Sequence, residues 1–239
     1  MINIDLFNNK EVYNQIYTKN SPFPHIVFEE LFDKTLIKEA AKEAKVFCND
    51  YLRSRPMTEE HEFQSKKHGV NNILELPPVL RLICKYINNP DFIAFLRKIT
   101  GLKSIIGDSY FMGGGLHFTE RGGRLGVHHD FNFLGDKNTP DYYRKCNLII
   151  FLNDKWDDSW GGGLELWDKN LMSKRHVVMP KLNRAVLFNI ENAPHGHPDP
   201  LNCPTQESRR SLAFYFYDKI PTKNRLYERA YWKFGNVLR

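Results

Sequence analysis

The sequence of 239 residues lacks the long apolar runs and the terminal signals that mark membrane and secreted proteins. Its longest uninterrupted apolar runs are short segments such as residues 148–152, whereas a membrane-spanning helix needs roughly 18 to 20 apolar residues. Residues 1–6 contain neither the basic region nor the apolar core of a secretory signal. We therefore expect a protein that does not span a membrane and that resides in the cytoplasm.

Cysteine is scarce, and no two cysteines have the C-x-x-C spacing of a zinc ribbon or of a thioredoxin-type site. The cysteines are Cys48, Cys84, Cys146 and Cys203. We expect them to be reduced structural thiols. An apolar share of 41% and a charged share of 26% exclude the disordered, collagen-like and coiled-coil classes.

Blocks of basic residues are also absent, although 34 Lys and Arg against 28 Asp and Glu give a net charge of +6. The pairs Lys66-Lys67 and Arg209-Arg210 are too short for a nucleic-acid-binding arm and are more typical of a solvated face. We therefore expect no nucleic-acid partner. A nucleic-acid-modifying enzyme stays open as an alternative, because it depends on whether basic side chains cluster in the fold.

The first hundred residues carry helical patterns and one predicted strand, which begins near His25. The predicted helices are residues 36–47, 79–87 and 91–99. Asp33 or Thr35 can cap the first helix, and Gly101 ends the third. We expect residues 1–103 to support the rest of the fold rather than to form a core of their own.

From about residue 104 the pattern changes to short β-type runs separated by Gly, Asn, Asp and Pro, which is typical of a barrel or a sandwich. The predicted strands are residues 104–110, 116–119, 146–152, 163–167, 176–178, 184–189 and 211–217. We expect a single domain with residues 104–218 as its β core and residues 219–239 as a C-terminal extension.

A candidate metal site is the main functional signal in the β half. Alternate residues of a strand share one face, so His128 and Asp130 can converge on one ion while His129 points away. His195 lies far enough along the chain to come from a later strand. Two imidazoles and one carboxylate on one face of an octahedron leave three positions open, as in non-haem Fe(II) oxygenases.

A candidate anion site precedes the last predicted strand. The run Arg209-Arg210-Ser211 leads into that strand, and a guanidinium in such a position can bind a carboxylate in bidentate fashion. The alternatives are a metal-binding β-barrel without catalysis and a zinc hydrolase. Neither alternative needs an arginine that binds a carboxylate, so the arginine motif distinguishes them from an oxygenase.

Together these motifs resemble the prolyl 4-hydroxylase-like branch of the Fe(II)/2-oxoglutarate-dependent dioxygenases. The resemblance covers roughly residues 104–218, with a weaker likeness over residues 23–32. The matching segments are residues 122–132, 147–153, 160–167 and 195–198. The resemblance implies a double-stranded β-helix, that is, a jelly-roll or cupin-like barrel. It also implies a hydroxylase that uses Fe(II), 2-oxoglutarate and O2, forms succinate and CO2 as co-products, and takes ascorbate as the expected reductant.

Carried over residue by residue, the resemblance assigns two groups of side chains. The implied iron ligands are His128, Asp130 and His195. Arg209 and Ser211 are implied to bind the distal carboxylate of 2-oxoglutarate, because the family motif has a small hydroxyl residue two positions after its arginine. Arg210 is then expected to point outward. His197 is expected near the metal or the substrate.

The sequence departs from the related prolyl hydroxylases in the co-substrate pocket. Phe118 and Phe151 stand where those enzymes often carry tyrosines. The candidates to replace the tyrosine hydrogen bonds are Asn147, Tyr110 and His117. This departure weakens the expectation of a peptidyl-proline substrate. The carboxylate of Asp130 is absent from halogenating relatives, so its presence here favours hydroxylation.

The substrate candidates flank the metal motif or lie near a glycine-rich turn. They are Arg124, Phe131, Asn132 and Trp167. Aromatic residues near β-turns are more often packed than exposed to a ligand, so Trp167 has a structural alternative. We expect a protein, peptide or small-molecule substrate, and a prolyl residue, a free amino acid, a sugar and another metabolite all stay open. The oligomeric state is open as well.

Overall fold

Five α-helices and eleven strands make up the part of the chain that the computed structural model describes, namely residues 2–54, 62–108, 111–131, 133–135 and 140–219. The helices are α1 (Ile4–Asn8), α2 (Lys10–Lys19), α3 (Lys34–Ser54), α4 (Pro78–Ile87) and α5 (Pro90–Thr100). The strands are β1 (His25–Phe28), β2 (Gln64–Val70), β3 (Ile106–Gly107), β4 (Gly115–His128), β5 (Phe133–Gly135), β6 (Pro140–Phe151), β7 (Leu164–Trp167), β8 (Lys174–Val178), β9 (Ala185–Asn189), β10 (His195–His197) and β11 (Ser208–Lys219). No helix in these ranges is long and apolar enough to cross a membrane.

Local contacts explain where the main helices begin and end. The Asp33 carboxylate accepts hydrogen bonds from the backbone N–H groups of Thr35 (2.9 Å) and Leu36 (3.1 Å) at the start of α3. Gly101 ends α5 in the left-handed conformation, with φ 75, which glycine adopts without a steric penalty. The three predicted helices are confirmed as α3, α4 and α5. The sequence pattern did not predict α1 and α2, and α2 packs against α5.

The strands of the described residues form one antiparallel sheet that curls into a nearly closed barrel. Its strand order is β1-β9-β6-β11-β4-β10-β7-β8, with β2, β3 and β5 added to β4, β11 and β6. This is the double-stranded β-helix, and the predicted fold class is confirmed. Neighbouring β4 and β11 place Arg209 opposite Thr119 and Ser211 opposite His117.

The N-terminal part of the chain contributes strands as well as helices. β1 pairs with β9, and β2 pairs with β4. The helices cover the outer face of the sheet, where the ring centroids of Tyr51 on α3 and Phe118 on β4 lie 5.4 Å apart. The division at residues 103 and 218 stays a prediction, and residues 220–239 lie outside the described part.

Most of the predicted strands are confirmed, with changes in length. The runs at 146–152, 163–167, 176–178, 184–189 and 211–217 correspond to β6, β7, β8, β9 and β11. The run at 116–119 belongs to the longer β4. Of the predicted run at 104–110, residues 104–108 are described, and within them Ile106–Gly107 form the short strand β3. The pattern of apolar residues does not predict β2, because its sequence QSKKHGV is polar.

Three apolar clusters stabilise the described part of the fold, and the two largest lie on opposite faces of the sheet. The largest cluster lies between the helices and the outer face of the sheet and includes Phe95 and Phe214. The second cluster lies within the barrel and includes Phe151, Leu166 and Phe188. All four cysteines are buried free thiols, as expected.

Candidate active site

Two histidines and an aspartate meet where β4 ends and β10 begins. His128, the last residue of β4, is the register partner of His195, the first residue of β10. The Asp130 carboxylate lies 3.4 Å from Nε2 of each histidine, Oδ1 facing His128 and Oδ2 facing His195. One donor atom from each residue lies within 4.8 Å of the others, close enough to bind one metal ion. We call these three residues the metal-ligand group.

Asp130 reaches this group by a different route from the one the sequence predicts. β4 ends at His128, so Asp130 is not a strand residue sharing a face with His128. The backbone leaves the sheet after His128 and still brings the carboxylate beside both imidazoles. The predicted convergence occurs, although the alternation of a strand does not produce it.

Backbone carbonyl groups orient both imidazoles toward the carboxylate. Nδ1 of His128 bonds the carbonyl oxygen of Gly126, and Nδ1 of His195 bonds that of Ala193, each at 2.9 Å. These bonds place the proton on Nδ1 and present Nε2 as the metal-binding atom. Burial lowers the pKa of His195 to about 4. His195 is therefore neutral near pH 7, which is the form that binds a metal.

Two residues of β6 hold Asp130 in place. Arg144 Nη2 and Asn147 Nδ2 both donate to Asp130 Oδ2, over 3.0 and 2.6 Å. Arg144 Nε also donates to Asn147 Oδ1 over 2.7 Å. The Arg144 side chain is 0% exposed, and its guanidinium carbon lies 3.3 Å from the centroid of the Tyr215 ring. These contacts fix the position of the carboxylate before any ligand binds.

The same contacts keep Asp130 ionised. Burial acts to raise the pKa of this carboxyl group, but the Arg144 guanidinium, with His195 and His128, holds the pKa well below its usual range. The carboxylate is thus charged throughout the physiological pH range. A charged carboxylate beside two imidazoles matches the donor set that an Fe(II) site requires.

A cavity of about 200 Å³ opens beside the metal-ligand group. Its walls include a second set of four polar side chains, which come from three strands. They are Lys67 on β2, His197 on β10, and Arg209 and Ser211 on β11. We call these four residues the anion group. His117, Asn147 and Tyr215 also line the cavity.

The anion group has few partners within the protein. Arg209 is 5% exposed and donates from Nε to the Gly162 carbonyl oxygen over 2.7 Å, and no described carboxylate pairs with it. His197 is 3% exposed, and neither of its ring nitrogens has a hydrogen-bond partner among the described residues. Such unpaired buried polar groups are uncommon in folded proteins and indicate a ligand.

Electrostatics indicate an anionic ligand. Burial and, to a smaller extent, the nearby Arg209 lower the pKa of Lys67 to about 8. Burial also lowers the pKa of Arg209 to about 10. Lys67 and Arg209 are both cationic at pH 7, and Asp130, the carboxylate in the cavity wall, is paired with Arg144. The two imidazoles and the carboxylate of the metal-ligand group fit a metal ion. The two cations beside them fit an organic acid that chelates this metal and carries a further negative charge.

Arg210 points to the outer face of the barrel, as the sequence predicts, because it is the register partner of Phe118 on β4. It is nevertheless buried there and donates to Glu207 Oε2 (3.1 Å) and Ser208 Oγ (3.2 Å). The reason is that β11 lies within the sheet and is covered on both faces, by the cavity on one and by the helical layer on the other. Arg209 and Arg210 are therefore both buried, and Arg210 has partners in the protein.

The remaining predicted residues are distributed around and away from the cavity. Asn147 lines the cavity and also contacts Asp130. Phe131 lies next to Arg144 and Tyr215, and Arg124 donates to the Glu62 carbonyl oxygen over 3.4 Å. Trp167 is outside the cavity wall and donates to Glu165 Oε2 over 2.9 Å. Tyr110 and Asn132 fall outside the described residues.

The structure explains why phenylalanine can replace tyrosine at one of the two positions, Phe118, where the sequence departs from the related prolyl hydroxylases. Phe118 faces the helical layer, where its ring stacks on His68 with centroids 4.9 Å apart. The cavity is lined instead by the preceding residue, His117. Phe151 lies near the anion group, with the Arg209 guanidinium 5.0 Å from its ring centroid.

Sequence reasoning missed Lys67 and Arg144. Lys67 belongs to a basic pair that the sequence assigns to a solvated face, and the polar sequence of β2 gives no local sign that Lys67 lines the cavity. Arg144 lies just before the apolar run of β6. A buried carboxylate needs a cationic partner, and this requirement of Asp130 is the signal that could have identified Arg144.

A family comparison agrees with this geometry. Residues 114–217, which contain the metal-ligand group, Arg144 and Arg209, match the family model described as the 2OG-Fe(II) oxygenase superfamily. This segment, which is less than half of the chain, is thus similar to the 2OG-Fe(II) oxygenases. Lys67 and the whole of β2 precede the matched segment.

The similarity to one curated protein extends beyond residues 114–217. A prolyl 3,4-dihydroxylase from Ostreococcus tauri is 24% identical over 212 residues, which are 83% of this chain and 38% of that protein. The chain thus spans well under half the length of this curated relative.

Two solved structures share the fold. A prolyl hydroxylase from Trichoplax adhaerens, in complex with a hypoxia inducible factor peptide fragment, has a TM-score of 0.57 at 12% identity, covering 91% of this chain and 94% of that one. The epimerase SnoN, in complex with Fe3+, alpha ketoglutarate and nogalamycin RO, has a TM-score of 0.57 at 12% identity and covers 94% of both chains.

Proposed function

We propose that this protein is an Fe(II)- and 2-oxoglutarate-dependent dioxygenase that hydroxylates an unactivated C–H bond. The observation that carries the proposal is the metal-ligand group, an oriented N,N,O set with an ionised carboxylate, beside a cavity whose two cations pair with no carboxylate of residues 2–54, 62–108, 111–131, 133–135 and 140–219. When bound, Fe(II), 2-oxoglutarate and O2 supply the oxidation, with succinate and CO2 as co-products and ascorbate as the reductant. A metal-binding barrel without catalysis needs no unpaired cations beside its metal.

Each residue of the site then has a defined task. His128 and His195 bind the metal through Nε2, because their Nδ1 atoms are held by backbone carbonyl groups. Asp130 supplies a charged oxygen, which Arg144 keeps ionised. Arg209 and Ser211 bind the distal carboxylate of 2-oxoglutarate, since both line the cavity from the same strand.

Asn147 and Tyr215 complete the wall of the cavity. Asn147 donates to Asp130 and so restrains the carboxylate from the β6 side. The Tyr215 hydroxyl donates to the Gly113 carbonyl oxygen over 2.9 Å, which fixes the ring over Arg144. Side chains held in this way limit the water that reaches the metal and leave the target C–H bond to be placed by the substrate.

A prolyl residue of a peptide is the substrate that we propose. It is supported by two similar proteins, a prolyl 3,4-dihydroxylase and a prolyl hydroxylase in complex with a peptide fragment. Phe131 and Arg124 flank the metal motif and are proposed to contact the substrate. Asn132 and Trp167 stay sequence-based predictions for the same role, as do the cytoplasmic location and the absence of a nucleic-acid partner.

The test is succinate formation by the purified protein with Fe(II), ascorbate and 2-oxoglutarate, with and without proline-containing peptides. We expect turnover that His128→Ala and Arg209→Ala abolish. The matched controls are His176→Ala and Arg175→Ala, which remove the same side-chain types from the exposed strand β8. If small metabolites stimulate turnover and peptides do not, the substrate is a small metabolite rather than a prolyl residue. Absence of both turnover and 2-oxoglutarate binding would leave the metal-binding barrel as the better explanation.

A further inference from the structure

Lys67 is placed in the cavity by a strand that precedes the segment that matches the oxygenase family. On β2, the neighbouring His68 stacks on Phe118 and lies with Nε2 2.7 Å from Glu120 Oε1, on the outer face of the sheet. Side chains alternate between the two faces of a strand, so Lys67 faces the inside of the barrel. Lys67 accordingly forms part of the cavity wall.

The ammonium of Lys67 has no direct ion-pair partner in the part of the chain that the structure describes. Within the described ranges its Nζ atom has no ion pair and no hydrogen bond, whereas Asp130, the carboxylate in the cavity wall, is bonded to Arg144 and Asn147. Placing an unpaired cation next to a buried arginine is unfavourable. The lowered pKa of Lys67, about 8, reflects burial first and Arg209 second. A ligand with a negative charge removes this cost.

Lys67 and Arg209 approach the same part of the cavity from two different strands. Each affects the pKa of His197, whose ring nitrogens are without partners among the residues described. Ser211 adds a hydroxyl group next to Arg209 on the same face of β11. The arrangement offers two charges and further donors to a single carboxylate.

We propose that Lys67 is a second cationic residue of the co-substrate site and that it binds the distal carboxylate of 2-oxoglutarate together with Arg209. This inference rests on the proposed function. It assigns a binding role to β2, which lies outside the segment that matches the oxygenase family.

Binding of 2-oxoglutarate to the Mn(II)-loaded protein, measured by calorimetry in the absence of turnover, tests this assignment. Lys67→Met keeps the length of the side chain and removes its charge. We expect the Kd for 2-oxoglutarate to rise roughly 10-fold to 100-fold, the loss typical of one hydrogen bond to a charged group. Lys66→Met is the matched control, because it removes one charge at the neighbouring position, which is outside the cavity wall.

A second ligand identifies the carboxylate that Lys67 binds. 2-Oxovalerate has the five-carbon 2-oxo acid skeleton but lacks the distal carboxylate. We expect the wild type and Lys67→Met to bind 2-oxovalerate with equal, weak affinity, so that the effect of the substitution disappears with the carboxylate. An equal loss of affinity for both acids would show that Lys67 acts elsewhere and would overturn the assignment.

Thermal unfolding separates a binding role from a structural one. Lys67→Met should leave the Tm of the ligand-free protein unchanged or higher, since it removes an unpaired cation, and should reduce the rise in Tm that 2-oxoglutarate produces. A lower Tm with an unchanged Kd overturns the inference alone. Wild-type protein that fails to bind 2-oxoglutarate overturns the proposed function and this inference with it.

Discussion

The metal-ligand group and the anion group share one cavity but differ in how the protein satisfies them. Both imidazoles of the metal-ligand group are held by carbonyl groups, and its carboxylate is held by Arg144 and Asn147. In the anion group, Lys67 has no partner among the described residues and Arg209 has a single carbonyl partner. The metal ligands are thus preorganised by the protein, whereas the cations depend on a ligand for their neutralisation.

This difference shows which substitutions should affect folding and which should affect binding. Removing a partner from the metal-ligand group exposes a buried charge to an apolar surrounding and costs stability. Removing a cation from the anion group deletes a charge that pairs with no described carboxylate, so it should affect ligand binding more than folding.

Arg144→Met should break the metal-ligand group. It leaves the largely buried Asp130 carboxylate without its cationic partner, so we expect a loss of about 3–5 kcal/mol in the free energy of unfolding. The metal affinity should fall about 10- to 100-fold, as is typical when a residue that orients a ligand is removed. Urea unfolding and Mn(II) titration measure the two effects. Arg175→Met on β8 is the control. An Arg144→Met protein of wild-type stability would contradict a stabilising role of the ion pair between Arg144 and Asp130.

The adjacent arginines of β11 allow a direct comparison. Arg209→Met should weaken 2-oxoglutarate binding about 100-fold with little change in stability. Arg210→Met should remove the bonds to Glu207 and Ser208 and cost about 1–3 kcal/mol of stability, while the affinity for 2-oxoglutarate stays close to wild type. Calorimetry and urea unfolding of both variants give the four values. The opposite pattern would mean that the two roles are exchanged.

The affinity for 2-oxoglutarate should depend on pH through Lys67. In the ligand-free protein the pKa of Lys67 is about 8, and binding of an anion raises that pKa. Below pH 8 the ammonium is already protonated and affinity is highest; above it, binding must take up a proton, so affinity falls by about 10-fold per pH unit. The groups facing Lys67 are Arg209, His117, His197 and Asp130.

None of these neighbours changes charge between pH 7 and pH 9. The pKa of Arg209 is about 10, and the pKa values of His117, His197 and Asp130 lie well below their usual ranges, the histidines because of burial and Asp130 because of Arg144. Calorimetry from pH 7 to pH 9 checks the prediction. A Lys67→Met protein that retains the same pH dependence would exclude Lys67 as its source.

The smallest binding effect is expected at Phe118. Because Phe118 faces His68 and Tyr51 rather than the cavity, Phe118→Tyr should leave the Kd for 2-oxoglutarate within about twofold of wild type. Burying the new hydroxyl group should cost about 1–3 kcal/mol of stability. Calorimetry and thermal unfolding measure both values. A large gain in affinity would show that position 118 does reach the co-substrate.

The sequence predicted those features that local chemistry determines. The spacing of His128 and Asp130, the later His195 and the Arg209 motif identified the residues that the structure brings to one cavity. The helices with strong caps and the apolar strands were predicted for the same reason. These features depend on residue type and short-range spacing, which a single sequence displays.

The features that the sequence did not predict depend on pairing between distant strands. Lys67 reaches the cavity because β2 pairs with β4, and Arg210 is buried because the helical layer packs on its face of β11. Arg144 is separated from Asp130 by residues 131–143 and contacts it through the fold. A polar strand or a basic pair gives no local sign of such partners, so the pattern indicates a solvent-exposed face.

The position of Lys67 and Arg209 has a consequence for the release of product. Succinate keeps the carboxylate that this pair binds, because oxidative decarboxylation alters the other end of 2-oxoglutarate. Binding energy that is the same before and after the reaction does not accelerate it, and it makes succinate a competitor of 2-oxoglutarate. Occupancy of the site would then follow the ratio of the two acids in solution, so the enzyme would slow as succinate accumulates.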